Sequence, residues 1–212
     1  MNKELYLLSG LGADKRVFDF LDLNGFRLIH IEWVKPFENE KIESYARRLL
    51  PQIKTARPTL IGVSFGGMIA IEIAKQITTD KLILISSAKT KTDIPFRYRL
   101  AGNFWVNRLI PAPLYRHANF VVYWLFGVRK KQEKQLLKAI MDEADNNFVD
   151  WATNAIVNWD NEKLLPNVIT IHGTADHVLP FIKADHKVEN GGHLMIVSKA
   201  KEVSRILQDI LN

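Results

Sequence analysis

Cysteine is absent from all 212 residues. That excludes disulfides, a thiolate nucleophile and cysteine-based zinc sites, and it fits a reducing compartment, so a cytoplasmic location is the expectation. No stretch of about 18 apolar residues occurs, which argues against a transmembrane helix. The most apolar run outside the expected sheet, from Val121 to Phe126, is far too short to span. The run Leu5-Tyr6-Leu7-Leu8 near the N-terminus is too short for a signal-peptide core and has no cleavage-like site behind it. There is no His-Glu-x-x-His zinc pattern, and neither metal nor cofactor is expected. Helix-turn-helix, zinc-finger and RNA-binding signatures are also missing, so the net charge of +6 does not point to nucleic acid. Internal repeats and low-complexity linkers are lacking.

What the chain does contain is apolar content of 47%, enough at this length for one domain with a full core. Its charge is unevenly spread. From Lys89 to Ile140 eleven Lys or Arg face two acids, whereas from Met141 to Leu165 one Lys faces six acids. Such blocks read either as solvated faces or as an attraction for an anionic substrate or carrier.

Short runs rich in Leu, Ile and Val alternate with helical patterns. Residues 4–9, 26–31, 59–63, 82–85 and 168–171 read as strands buried on both faces, and 184–188 as a polar edge strand. Ile42, Tyr45, Ala46, Leu49, Leu50 and Ile53 mark one amphipathic helix. Val203, Ile206, Leu207, Ile210 and Leu211 mark another, and 65–77 is apolar on nearly every side. A further helix is expected around Val17, Phe18 and Leu21. This alternation predicts an α/β fold: a three-layer sandwich with a mostly parallel sheet of about six strands. From Lys89 to Pro166 the rhythm breaks into aromatic-rich helical pieces carrying Phe104, Trp105, Tyr115, Phe120, Tyr123, Trp124, Phe126, Trp151 and Trp159. That stretch reads as a helical insertion after the fourth strand. The predicted organisation is a core of 1–88 and 167–212 with an inserted subdomain of 89–166.

The strongest chemical signal is Gly62-Val63-Ser64-Phe65-Gly66-Gly67, between an expected strand and an expected helix. A serine on such a turn projects its hydroxyl above the sheet edge, and small neighbours permit the tight backbone. Serine needs a base. His193, in Gly191-Gly192-His193, sits in a glycine-flanked loop before the last helix. An imidazole base needs an acceptor for its other nitrogen. Asp176 follows the fifth strand in His172-Gly173-Thr174-Ala175-Asp176, at the same sheet edge as Ser64. An oxyanion would be met by the backbone N–H of Phe65 and by that of Leu11, in the turn Ser9-Gly10-Leu11-Gly12. His30 and His117 are assigned surface or structural roles. His172, His177 and His186 are read as loop or strand residues, with His177 near enough to Asp176 to influence it.

Through these segments, with Pro180, the chain resembles the α/β-hydrolase superfamily over nearly its whole length. The resemblance implies a catalytic triad of Ser64, Asp176 and His193, an oxyanion hole at Leu11 and Phe65, and a cap over the site formed by 89–166. Two departures stand out. Ser9-Gly10 replaces the usual His-Gly, and the chain starts at the strand before that loop, without the extra N-terminal strand pair of fuller members.

The reaction these residues predict is acyl transfer through an acyl-enzyme, hydrolysing an ester or thioester of a small acyl substrate, one that is anionic or carrier-linked if the basic segment faces the entrance. C–C bond hydrolysis or a lyase reaction on the same triad is one alternative. A ligand-binding receptor without turnover is another, since fold does not dictate function.

Overall fold

A computed structural model of the chain describes residues 3–96, 98 and 118–212. Six strands form one sheet: β1 (Glu4–Leu8), β2 (Arg27–His30), β3 (Thr59–Val63), β4 (Lys81–Ile85), β5 (Val168–Gly173) and β6 (His186–Val188). Their order is β2-β1-β3-β4-β5-β6, and every pairing is parallel. The alternation of side chains along each strand divides the interior in two. Leu5, Leu7, Ile61, Val63, Ile83, Ile85 and Ile171 pack with the C-terminal helix. Tyr6, Leu8, Leu60, Leu82 and Leu84 pack on the other face with two helices, α1 (Ile42–Leu49) and α2 (Phe65–Ala74). Both faces of the central strands are covered, which is why β1, β3 and β4 are apolar beyond their first residue. The strand β2, expected to be buried on both faces, is instead an edge of the sheet with Arg27 and Leu28 exposed, because no described strand pairs with its outer side.

The expected helix around Val17 is instead a single 3-10 turn, Lys15–Val17. Val17 and Phe18 are adjacent, and one turn buries both. The following Asp22 N–H is taken by Ser204 Oγ at 2.9 Å rather than by a carbonyl one helical turn back. Helix α1 stops at Leu49 and tightens into a 3-10 turn, Leu50–Gln52, short of the expected Ile53. Pro51 explains the stop, because it has no N–H to continue the ladder and its ring clashes with the preceding turn. The strand β6 is a three-residue edge, as its polar composition suggested.

Between β4 and β5 the described residues contain a 3-10 turn (Lys91–Asp93) and three helices, α3 (Phe120–Phe126), α4 (Lys131–Glu143) and α5 (Asn146–Val157). Asn119 and Asp145 cap α3 and α5 by accepting from first-turn N–H groups. Phe104, Trp105, Tyr115 and His117 lie outside the described residues. After β6 come α6 (Met195–Ser198) and α7 (Ala200–Leu211).

Helix α5 is fastened to α1 and α2 by aromatic rings. Phe148 and Trp151 pack against Tyr45 and Phe65, with Tyr45 and Trp151 centroids 4.3 Å apart. Beneath them lies a buried charge. Glu72 of α2 is 1% exposed, and its Oε1 accepts from Trp159 Nε1 at 2.8 Å and from Lys75 Nζ at 2.9 Å. Asn161 lies 3.4 Å from Lys75 Nζ through Oδ1, and its Nδ2 donates to the Lys89 carbonyl at 2.9 Å. This network joins both ends of the inserted segment to α2. A buried carboxylate stripped of its cation is costly, whereas removing both charges is far less so. Lys75→Met should therefore lower unfolding free energy by about 2 kcal/mol, less than for a wholly buried pair because the Lys75 side chain is 25% exposed. Adding Glu72→Gln should recover most of that loss, as read by urea unfolding midpoints. Equal losses in the single and double variants would contradict this account.

Candidate active site

A parallel sheet sends the loops after β1, β3, β5 and β6 to one edge, and the chemically suggestive residues all lie on those loops. Ser64 ends β3 and begins α2 with φ 52° and ψ −121°, a conformation that costs a non-glycine residue about 1–3 kcal/mol. Packing holds it there. Its N–H donates to Ile85 O at 2.9 Å, and its carbonyl accepts from Ser87 Oγ at 2.6 Å and Gly67 N at 2.9 Å. A Cβ at Gly66 would lie 2.2 Å from the Ser9 carbonyl, so only glycine lets α2 approach the loop after β1 so closely.

Ser64 Oγ lies 2.8 Å from His193 Nε2, and His193 Nδ1 lies 2.8 Å from Asp176 Oδ2. The structure thus brings Ser64, His193 and Asp176 into one hydrogen-bonded line. The His193 ring is set by its surroundings: Phe126 meets it edge-on at 5.4 Å, and Leu194 N–H donates to Phe126 O at 3.0 Å. A Cβ at Gly127 would sit 2.6 Å from Gly192 Cα, so the end of α3 rests directly on the histidine loop.

Asp176 is buried, yet it stays charged. Burial pushes its carboxyl upward. The facing His193 imidazole, the His172 and His193 hydrogen bonds and the Leu179 N–H outweigh that and hold it well below the usual carboxylate range. Val178 N–H and Leu179 N–H both donate to Oδ1 at 2.9 Å.

The remaining histidines divide differently from the sequence expectation. His172, read as an ordinary strand residue, reaches Asp176: its Nε2 is 3.2 Å from Oδ2 and 2.8 Å from Leu179 O. The second imidazole touching Asp176, beside His193, is therefore His172, whereas His177 stacks flat on Trp124 at 4.3 Å. The signal available in the sequence was spacing, since His172 and Asp176 stand four residues apart across the turn that ends β5. His30 ends β2 with its ring 5.7 Å from Phe18, and burial pushes its pKa down.

The Phe65 N–H opens α2 and has no acceptor within the helix. Leu11 lines the same cavity as Ser64 and His193, and its N–H makes no backbone hydrogen bond among the described residues. Gly10 abuts the Ser64 turn, its hypothetical Cβ being 3.5 Å from Ser64 Cβ. Ser9, which stands where the resemblance leads one to expect histidine, braces this loop. Its Oγ donates to Ala13 O at 2.7 Å and accepts from Trp33 Nε1 at 3.1 Å. Trp33 carries no motif, and nothing in the sequence links it to Ser9.

The cavity holding Ser64 and His193 measures about 250 Å³. Its described lining has no charged side chain and is aliphatic for the most part, with Val122, Leu137, Ile140 and Val149 contributed by α3, α4 and α5. Phe126 is its one aromatic residue among those described. Trp151 and Trp159 pack against the core instead, and Trp124 is half exposed. Among the described residues no cluster of three or more His, Asp or Glu is arranged to hold a metal ion, and no helix is long and apolar enough to cross a membrane.

No protein-family model and no curated protein sequence matches the chain. Solved structures do. An esterase from Exiguobacterium antarcticum superposes with a TM-score of 0.72 at 17% identity, covering 98% of this chain and 91% of that one. A lipase-esterase related protein from Clostridium acetobutylicum gives 0.73 at 16% identity, covering 98% and 94%. A protein from Desulfitobacterium hafniense described as of the alpha/beta hydrolase family gives 0.65 at 18% identity, covering 100% and 96%. At such identities what is shared is the architecture: this chain has the α/β-hydrolase fold.

Proposed function

We propose that the protein is a serine hydrolase that cleaves an ester or thioester through an acyl-enzyme. Ser64 Oγ attacks the carbonyl carbon while His193 Nε2 takes its proton. Asp176 holds the ring in the Nδ1–H tautomer and stabilises the imidazolium. The Phe65 and Leu11 N–H groups receive the oxyanion, aided by the positive end of α2. His193 then protonates the leaving group, and water repeats the sequence to release the acid. The observation that carries this reading is the unbroken line from Ser64 Oγ to His193 to Asp176, with 2.8 Å at each link. The esterase neighbours are consistent with it.

The acyl side of the substrate is proposed to be small and uncharged. The cavity of about 250 Å³ lies just under the size of drug-sized pockets, about 300–1,000 Å³, and its described lining offers a carboxylate no cation. Helices α3, α4 and α5 serve as the lid of this pocket, in keeping with a cap at 89–166. An acidic carrier, if the natural leaving group is one, would meet the basic residues of that segment from outside the pocket.

Ser64→Ala should lower p-nitrophenyl butyrate turnover by about a thousandfold or more with an unchanged unfolding midpoint. A fluorophosphonate probe should label Ser64, read by mass spectrometry of the intact folded protein. Equal turnover in variant and wild type, or an unlabelled Ser64, would defeat the proposal. In a series of acyl esters of rising length, kcat/KM should peak at short to medium chains and fall for long ones; a steady rise to the longest chain would refute a small pocket.

The pH dependence follows from charge. The base works only when neutral, so kcat/KM should fall as acid protonates the imidazole. Asp176 is held below the ordinary carboxylate range, so it keeps its charge throughout that fall and loses it only at lower pH. The acid limb should therefore have a slope of one on a logarithmic plot. A slope of two above pH 5 would mean that a second essential group protonates there.

A further inference from the structure

Asp176 Oδ2 faces two imidazoles, and only one of them is the base. We propose that His172 is a positioning residue of the site: its Nε2–H, shared between Asp176 Oδ2 and the Leu179 carbonyl, sets the orientation of the carboxylate and tempers its hold on His193. The proposal rests on the serine-hydrolase reading and adds a second histidine to it.

The geometry determines where the hydrogen is. His172 Nε2 has two neighbours, Leu179 O at 2.8 Å and Asp176 Oδ2 at 3.2 Å, and both can only accept. Nε2 must therefore carry hydrogen in either charge state. The ring is buried, on the last residue but one of β5, and Phe181 flanks it at 6.1 Å. The loop from 176 to 179 is closed twice over: Leu179 N–H donates to Asp176 Oδ1, and Leu179 O accepts from the histidine that also touches Oδ2. His172 thus fixes the turn and the carboxylate together.

The chemical consequence concerns the same oxygen. Oδ2 accepts from His193 Nδ1 at 2.8 Å, and His172 Nε2 lies 3.2 Å from the same oxygen. Each donor draws charge from Oδ2, so the second weakens the stabilisation that Oδ2 gives to protonated His193. The base is then easier to keep neutral, which is the form that accepts the Ser64 proton. Other charges near His172 are Lys89, Asp93 and Lys183, which share a small cavity with it, and Lys187, its register partner on β6. Asp93 accepts from the Lys89 and Thr90 N–H groups, so it is occupied by its own turn. Among these groups Asp176 is the one in contact with the His172 ring nitrogen.

Two measurements test the assignment. In His172→Leu, the acid limb of kcat/KM should move upward by about half a pH unit, with kcat reduced and KM little changed. His172→Gln, whose amide can place an N–H near the position of Nε2, should return the limb to its wild-type place. A limb that stays put in a folded His172→Leu protein, while Ser64→Ala remains inactive, overturns the role of His172 and leaves the triad standing. Wild-type activity that does not need Ser64 would instead defeat the hydrolase reading itself. The second measurement needs no variant: in protein with nitrogen-15 histidine, neutral His172 should be the Nε2–H tautomer, with slow exchange of that hydrogen. An Nδ1–H tautomer would overturn the proposal whether or not His172→Leu folds.

Discussion

A carboxylate taken out of water keeps its charge only where its lone pairs are met, and Asp176 shows what that requires. Two backbone N–H groups meet Oδ1 and two imidazole nitrogens approach Oδ2. The charge is what orients His193, and the orientation of His193 is what brings Nε2 to the serine hydroxyl. The rest of the site depends on this one buried anion. It also explains why the loop from 173 to 180 is so tightly bonded to itself, since any loosening would expose or strand the carboxylate.

The nucleophile turn depends on packing in a different way. Ser64 is held at a positive φ by a strand on one side, a helix on the other and the Ser9 carbonyl directly against Gly66. Strain of this kind survives only where neighbours leave no alternative. Ser9 and Trp33 supply part of that enclosure from the loops after β1 and β2. Gly10 abuts Ser64 in the same loop as Leu11, which lines the cavity beside it, so the proposed nucleophile and one candidate donor lie on neighbouring turns.

The helices between β4 and β5 are attached at both ends by polar networks and in the middle by rings. Glu72, Lys75, Trp159 and Asn161 bind the segment to α2, and Phe148 and Trp151 seat α5 on Tyr45 and Phe65. At the far end, Gly127 and Gly192 touch backbone to backbone beside His193. A displacement of α3 would therefore bear on the histidine loop through a contact with no side chain to absorb it. The aliphatic faces that remain after this anchoring are the ones that enclose the space above Ser64.

Local chemistry made much of this legible in the residues alone. Strands buried on two faces must be continuously apolar, so β1 and β3 could be read from composition, and a parallel sheet follows from the helices between them. Ser64, Asp176 and His193 each lay in a short segment whose glycines and position after a strand had a local cause. The helix expected around Val17 gives way to a single turn in a segment whose later Asp22 N–H is met by Ser204, 182 positions further along the chain. His172 was passed over and His177 considered for the same reason: which imidazole faces a carboxylate depends on which side of a loop turns inward, and that is settled by Leu179 and the sheet. Trp33 bracing Ser9, and the mostly aliphatic described lining of the pocket, likewise arise from contacts between distant segments. Periodicity and turn chemistry act over a few residues and are written in sequence order; enclosure, shared acceptors and burial of charge exist only once the layers have closed on one another.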